Sequence, residues 1–290
     1  MINFKLLSYN SHMSALLRWV GSKQWARQDI AELVRGNLSD NGMYYEPFAG
    51  SAAVLFTLRE LKKACICDTV EPLIRAYKAI KDEPMEVHRW ATKLAKNESQ
   101  QAYYSNRDLF NDYLMLRKPL KTEYELAGLF IYLNSYCFNG LWRQNLDGEF
   151  NVPKSDREKA KIPKSRSFIL ASQILQHTRI MLIEPPSDIF DVIDASHKGD
   201  VVFADPPYYE TFDNYDGLEE TGPGFHERLA TTLQCARNRG VKIIAMNSDT
   251  KLVHRVYKEW CHIKTIERHQ TVASTNEGRG EWTQVLAVSK

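Results

Sequence analysis

No run of consecutive apolar residues in this chain approaches the ~18 that a membrane-spanning helix needs, so no membrane-embedded role is expected. The amino terminus, Met1-Ile2-Asn3-Phe4-Lys5-Leu6-Leu7, lacks a long apolar core and a small-residue cleavage site, which predicts no signal peptide. Cysteine is sparse. Cys65, Cys67, Cys137, Cys235 and Cys261 are odd in number and scattered, as expected of buried thiols in a reducing cytoplasm rather than of a disulfide framework. Cys65 and Cys67 have no second cysteine or histidine pair at zinc spacing, so no metal site is expected. A G-x-G-x-x-G turn and a P-loop are both missing, which argues against NAD and ATP. Internal repeats and low-complexity tracts are absent as well. Neither charge sign dominates: the formal net charge is +2 and the pI about 8.2. One local exception is the stretch 154–166, with Lys154, Arg157, Lys159, Lys161, Lys164 and Arg166 against Asp156 and Glu158. Such a stretch is usually a solvated loop, but it can also follow a phosphate backbone.

What the chain does contain is ordinary globular material, 43% hydrophobic and 26% charged over 290 residues. That length favours one large domain, or one domain with a sizeable insertion. Short apolar strands are expected at 44–47, 64–67, 179–183, 201–204 and 241–246, with closing strands at 262–266 and 283–288. Helical patterns lie between them, at 52–61, from Asp68 to about Ile80 and at 225–239. This rhythm predicts an α/β fold with a doubly wound, Rossmann-like sheet and helices on both faces. Residues 81–167 interrupt it with helical patterns and one hairpin signal, Asn145-Leu146-Asp147-Gly148 between short arms 141–144 and 149–152. The expected organisation is a catalytic domain of 14–80 plus 168–290, a mainly helical insertion at 81–167, and an extension at 1–13 with no assigned role.

Two strand ends carry the chemistry. Glu46-Pro47-Phe48-Ala49-Gly50-Ser51 puts small residues where the chain leaves the first strand, so a ligand can approach the backbone. Asp68 ends the second strand about twenty residues on, a spacing suited to a carboxylate that accepts ribose hydroxyls. Asp205-Pro206-Pro207-Tyr208 follows the apolar run Val201-Val202-Phe203-Ala204, which reads as a central strand buried on both faces. Two prolines stiffen the turn, because proline fixes φ and donates no N–H. A proline turn without function is the plain account of that tetrapeptide alone. With the first loop beside it, the pair meets the needs of methyl transfer to an exocyclic amine. The Asp205 carboxylate and Pro206 carbonyl accept from the two N–H groups, directing the nitrogen lone pair at a methyl sulfonium. Tyr208 offers an extruded base an aromatic face.

In these residues the chain resembles the Dam-type DNA adenine-N6 methyltransferases of the D12 class. The resemblance covers residues 14–290 and rests on segments in family order. They are Leu17-Arg18-Trp19-Val20-Gly21-Ser22-Lys23, Glu46-Pro47-Phe48-Ala49-Gly50, Tyr132-Leu133-Asn134, Phe138-Asn139-Gly140-Leu141-Trp142-Arg143, Gly148-Glu149-Phe150-Asn151-Val152-Pro153, Asp205–Tyr208 and Asn247-Ser248-Asp249. It implies S-adenosyl-L-methionine as cofactor, held by Trp19, Lys23, Phe48, Gly50, Ser51, Asp68, Glu184 and Asp205. It implies Asp205, Pro206, Pro207 and Tyr208 as the catalytic residues. Arg18, Phe138, Asn139, Arg143 and Pro153 fall at DNA-contact positions, with a GATC-like site in double-stranded DNA as the target. A monomer in the cytoplasm, with a cognate restriction endonuclease as a possible partner, completes the expectation. The chain departs from the family pattern at Ala52, where a second glycine is usual, and at Ser22 and Arg18. A cytosine-N4 methyltransferase is the nearest rival, though that group more often carries Ser before Pro-Pro-Tyr. A catalytically silent DNA-binding relative is the rival from another class.

Overall fold

Val201, Val202, Phe203 and Ala204 are all buried and form β4 (Val201–Ala204), in the interior of a seven-stranded sheet. The computed structural model describes residues 15–156, 161–183, 188–208, 222–269 and 281–290. The extension 1–13 therefore lies outside the described residues, as do Glu184 and, within the basic stretch, Arg157 and Lys159. β1 (Tyr44–Glu46), β2 (Ala64–Asp68), β3 (Thr178–Leu182), β4 and β5 (Lys242–Ser248) run parallel, in the spatial order β3-β2-β1-β4-β5. β6 (Cys261–His269) and β7 (Glu281–Ser289) complete the sheet, with β7 antiparallel to both β5 and β6 and lying between them.

Period-two alternation sends successive strand residues to opposite faces, and each face has its own core. On one side Tyr44, Ile66, Val201, Phe203, Ile244 and Met246 pack with α1 (Arg27–Arg35), α2 (Glu71–Asp82) and α6 (Ser165–Leu175). On the other, Tyr45, Cys65, Val202, Ala204, Ile243 and Ala245 pack with α7 (Asp188–Asp194), α8 (Pro223–Asn238) and α9 (Lys251–Tyr257). The sheet is thus doubly wound, as its sequence rhythm predicts. Between β2 and β3 the chain also forms α3 (Pro84–Leu94), α4 (Gln100–Leu114) and α5 (Glu123–Tyr136), the last buried along most of its length. Their buried residues Val87, Phe110, Ile131 and Leu133 belong to the same core as Tyr44 and Phe203.

The strand order reverses beside β1. From β1 the chain moves outward to β2 and β3, and it returns to place β4 on the opposite flank of β1. Loops leaving the carboxyl ends of β1 and β4 must then diverge, and the crevice between them is the ligand position of an open α/β sheet. Both of the chemistry-bearing strand ends border that crevice.

Candidate active site

The loop after β1 is folded by a buried acid. Glu46 Oε2 accepts the Tyr44 hydroxyl at 3.0 Å and the Leu55 N–H at 3.1 Å. Among the described residues two neutral donors and no cation bond this carboxyl, and burial raises its pKa to about 8. The helix expected at 52–61 does not form, because its backbone leaves helical geometry at Ala52 and again at Leu58, where ψ is 66°. Ala52 takes a left-handed φ of 48°, its N–H closing onto Ala49 O at 2.6 Å, and only a 3₁₀ turn at Leu55–Thr57 follows. The loop therefore presents no helix N-terminus to a ligand.

Gly50 is gripped from three sides. Its N–H donates to Asp68 Oδ2 at 2.8 Å, its carbonyl accepts the Tyr77 hydroxyl at 2.6 Å, and the Trp19 indole lies against its α-carbon. A Cβ there would sit 2.8 Å from Trp19 Cδ1, too close for any other residue. Asp68 Oδ1 accepts the Val70 N–H at 3.1 Å. Burial raises the Asp68 pKa while these amides pull it down, and the carboxylate keeps capacity for further donors.

The amino-terminal segment bridges this loop to the other strand end. Lys23 Nζ donates to Asp205 Oδ2 at 2.6 Å and to Gly21 O at 2.5 Å, with the lysine only 4% exposed. The ammonium also stands 4.9 Å from the centroid of the Tyr208 ring, within cation–π range. Ser22 and Ser51 join hydroxyls at 2.6 Å, tying the segment to the loop. Asp205 Oδ1 is buried without a hydrogen bond among the described residues. Burial raises the Asp205 pKa, with Lys23 foremost, and then the nearby Tyr208 hydroxyl, acting in the opposite sense. Pro206 is buried and Pro207 exposed. The Tyr208 hydroxyl donates to Gln284 Oε1 at 3.1 Å. Trp19, Lys23, Gly50, Ser51, Asp68, Asp205 and Tyr208, scattered over the sequence, thus form one connected site. Phe48 instead packs edge-on against Phe225 of α8, 6.4 Å between centroids. Glu184, expected to hold cofactor, lies outside the described residues.

The residues at DNA-contact positions gather around the end of α5. Asn134 Oδ1 accepts the Arg18 N–H at 2.9 Å and Asn134 Nδ2 donates to Arg18 O at 2.7 Å, a two-point clamp on the residue preceding Trp19. Gly140 lets the same backbone pass, since a Cβ there would stand 2.5 Å from Arg18 Cβ. Phe138 is exposed, with its N–H on Pro153 O at 2.9 Å, and Asn139 holds a left-handed φ of 54°. Arg143 is exposed and its Nε donates to Asn151 Oδ1 at 2.7 Å. The expected hairpin is shorter than its signal. Its turn forms on Asn145, but the ladder shrinks to the Gln144–Phe150 bridge. The ladder stops because the next pair in this register would use Pro153, which has no N–H and whose carbonyl already accepts Phe138 N–H; α4 holds the second arm from its outer edge. Asn111 donates to Phe150 O at 3.0 Å and accepts Phe150 N–H at 2.9 Å, and the Tyr103 hydroxyl bonds Val152 O at 2.9 Å.

Sequence reasoning named Asn134 only as part of a motif, and assigned no role to Glu46, Tyr77 or Gln284. The available signal was polarity out of place: Asn134 interrupts the apolar α5, and Gln284 precedes Val285-Leu286-Ala287-Val288 in β7.

The chain belongs to the D12 class N6 adenine-specific DNA methyltransferases, whose family model matches residues 19–272. It is accordingly an adenine-specific DNA methyltransferase, acting on DNA with a methyl donor. Similar proteins include the Retron Ec67 DNA adenine methylase of Escherichia coli, 29% identical over 96% of this chain and 92% of that protein. The Type II methyltransferase M.MjaIII of Methanocaldococcus jannaschii is 30% identical over 80% of this chain and 83% of its own length. The Type II methyltransferase M1.LlaDCHI of Lactococcus lactis subsp. cremoris is 27% identical over 94% of each. Among the described residues no helix is long and apolar enough to cross a membrane, and no cluster of His, Cys, Asp and Glu is placed to hold a metal ion.

Proposed function

We propose that the chain methylates the exocyclic amine of an adenine turned out of duplex DNA, with S-adenosylmethionine as donor and a GATC-like sequence as target. The observation that carries this reading is the bonding of Lys23 to Asp205, with the Ser22–Ser51 bond beside it. Together they join the two strand ends at the topological switch into one site.

The residues fit that donor. Asp68 has accepting capacity left for ribose hydroxyls, Trp19 and Gly50 form a flat wall, and the buried Asp205 Oδ1 awaits a donor group. When bound, S-adenosylmethionine supplies a methyl on a positive sulfur. The protein positions the acceptor. Asp205 and the Pro206 carbonyl take the two N–H bonds of the adenine amine, so that its lone pair no longer delocalises fully into the ring. The donor would give up its methyl and keep the electrons of that bond on its sulfur, leaving the amine nitrogen with one proton to shed. Burial makes Asp205 more basic than an exposed aspartate, which favours it as the first proton acceptor. Tyr208, with Lys23 4.9 Å from its ring centroid, is the aromatic surface on which the base stacks.

Target reading is assigned to the segment 81–167, with 14–80 and 168–290 as the catalytic part. Arg143 suits guanine O6/N7 and Asn139 an adenine edge in the major groove, with Arg18 and Pro153 as flanking contacts. The exposed Phe138 is the ring for the gap that base extrusion leaves. A monomer in a prokaryotic cytoplasm, with or without a cognate endonuclease, fits these roles. The test is transfer of labelled methyl to duplex oligonucleotides with and without GATC, followed by digestion. N6-methyladenine confined to GATC duplexes is expected; label in cytosine, or none in DNA, would overturn the reading.

A further inference from the structure

Gln284 reaches the site through topology alone. β7 runs antiparallel to its neighbours, so its first residues, not its last, lie at the carboxyl edge of β5, where Gln284 pairs with Ser248. Alternation then turns Gln284 and Leu286 to one face of the sheet, and Leu286 packs on the same core as the half-buried Tyr208. There, at 9% exposure, Gln284 Oε1 accepts the Tyr208 hydroxyl at 3.1 Å. A buried amide is costly to leave unpaired, and this one is paired across 76 residues to the last member of the Asp205–Tyr208 motif.

We propose that Gln284 is a positioning residue for the target base: by accepting the Tyr208 hydroxyl it fixes the ring plane on which the extruded adenine stacks. The proposal rests on the base-stacking role given to Tyr208 above. Among its restraints are Lys23 over its face and, at its tip, Gln284 with the Asp205 carboxylate nearby. Lys23 restrains tilt, and the bond to Gln284 resists swinging about the bond to the backbone. A ring free to swing would still sit in the pocket but would meet the base in a range of planes. The cost would fall on DNA capture and base extrusion rather than on the donor.

The test uses the full-length chain with its methyl donor and a duplex bearing 2-aminopurine at the target adenine, whose fluorescence reports extrusion. Gln284→Met removes the acceptor at nearly constant volume, whereas Gln284→Glu keeps one. Gln284→Met is expected to raise KM for DNA and to lower the extrusion signal about 3- to 10-fold, the scale of one neutral hydrogen bond. KM for the donor should not change. Gln284→Glu should stay within twofold of the parent, and in a Tyr208→Phe background Gln284→Met should have no further effect. The proposal falls if Gln284→Met matches the parent, or if it costs as much in the Tyr208→Phe background as in the parent. Should Gln284→Met fail to fold, the remaining pair decides: Tyr208→Phe must impair DNA capture while Gln284→Glu does not, and any other result refutes the proposal. A parent protein that neither extrudes nor methylates adenine would instead sink the underlying functional reading.

Discussion

Lys23 and Arg143 are both cations bonded to a neighbouring polar oxygen, yet their surroundings are opposite. Lys23 is 4% exposed and shares its charge with Asp205 at 2.6 Å; Arg143 is exposed and rests on the neutral Asn151 at 2.7 Å. Breaking the first pair strands a charge in a poorly solvated place, which is expensive. Breaking the second exchanges one weak bond for water or for a base edge, which costs little. The chemical end of the site is thus built rigid before any ligand arrives. The proposed reading end is held by a bond that a base edge could replace.

The largest test of that contrast removes the anion. Asp205→Ala should lower methyl transfer at least a thousand-fold, about 4 kcal/mol of transition-state stabilisation, measured as single-turnover transfer at saturating donor and DNA. Transfer at the parental rate would show that the amine is not held by this carboxylate. At the reading end, Arg143→Ala should cost about 1–3 kcal/mol of discrimination at one base pair, measured as the ratio of kcat/KM on cognate and singly substituted duplexes. An equal loss on every duplex would make Arg143 a phosphate clamp and remove the contrast drawn above.

How much of this was legible in the sequence follows the same division. The strand ends could be read because strand, turn and chemistry are local there: Val201–Ala204 announces a buried strand, and Asp205-Pro206-Pro207-Tyr208 its abrupt end. The partners of those ends could not. Lys23 is 182 residues from Asp205, Arg18 is 116 from Asn134, and Tyr208 is 76 from Gln284. No periodicity encodes such pairings. The helix expected at 52–61 failed although its apolar pattern was sound, because the backbone turns left-handed at Ala52 and leaves helical geometry at Leu58, which no residue type there announces. The short ladder of the hairpin ends where Pro153 offers no N–H and gives its carbonyl to Phe138, a residue outside both arms.

The buried acids make the rigid end sensitive to pH. The Glu46 carboxyl titrates at about 8 when folded against 4.5 ordinarily, so the folded state holds an extra proton between those values and loses stability as pH rises through them. His226 of α8 works the other way. Burial lowers it from 6.5 to about 4, so its contribution is complete above 6.5 and is lost as pH falls towards 4. Below pH 6.5 the two slopes oppose each other; above it the histidine contribution is complete and the glutamate slope stands unopposed by it. Stability should therefore fall from pH 6.5 to 8, by about 2 kcal/mol from Glu46 alone. Glu46→Gln should flatten that limb in urea titrations and, because the histidine slope is then unopposed, steepen the loss of stability from pH 6.5 towards 4.5. An unchanged slope would mean that the glutamate is already ionised when folded.

The finest test lies within the rigid end, where Gly50 and Ala52 adopt nearly the same left-handed φ, 45° and 48°. Only one of them can exchange. Gly50→Ala would drive a methyl to 2.8 Å from Trp19 in addition to the backbone strain, so loss of folding or of donor binding is expected. Ala52→Gly faces three competing terms. Relief of left-handed strain favours glycine by about 1–2 kcal/mol. The lost burial of one methyl, fully enclosed here, opposes by about 0.8 kcal/mol. The greater freedom of unfolded glycine opposes by about 0.4–1 kcal/mol. The sum is near zero, and the melting temperature should shift by less than about 2 °C. A clear gain in stability would show that the Ala52 methyl packs against nothing of consequence. A clear loss would show that this methyl helps hold the loop against which Trp19, Tyr77 and Asp68 are set.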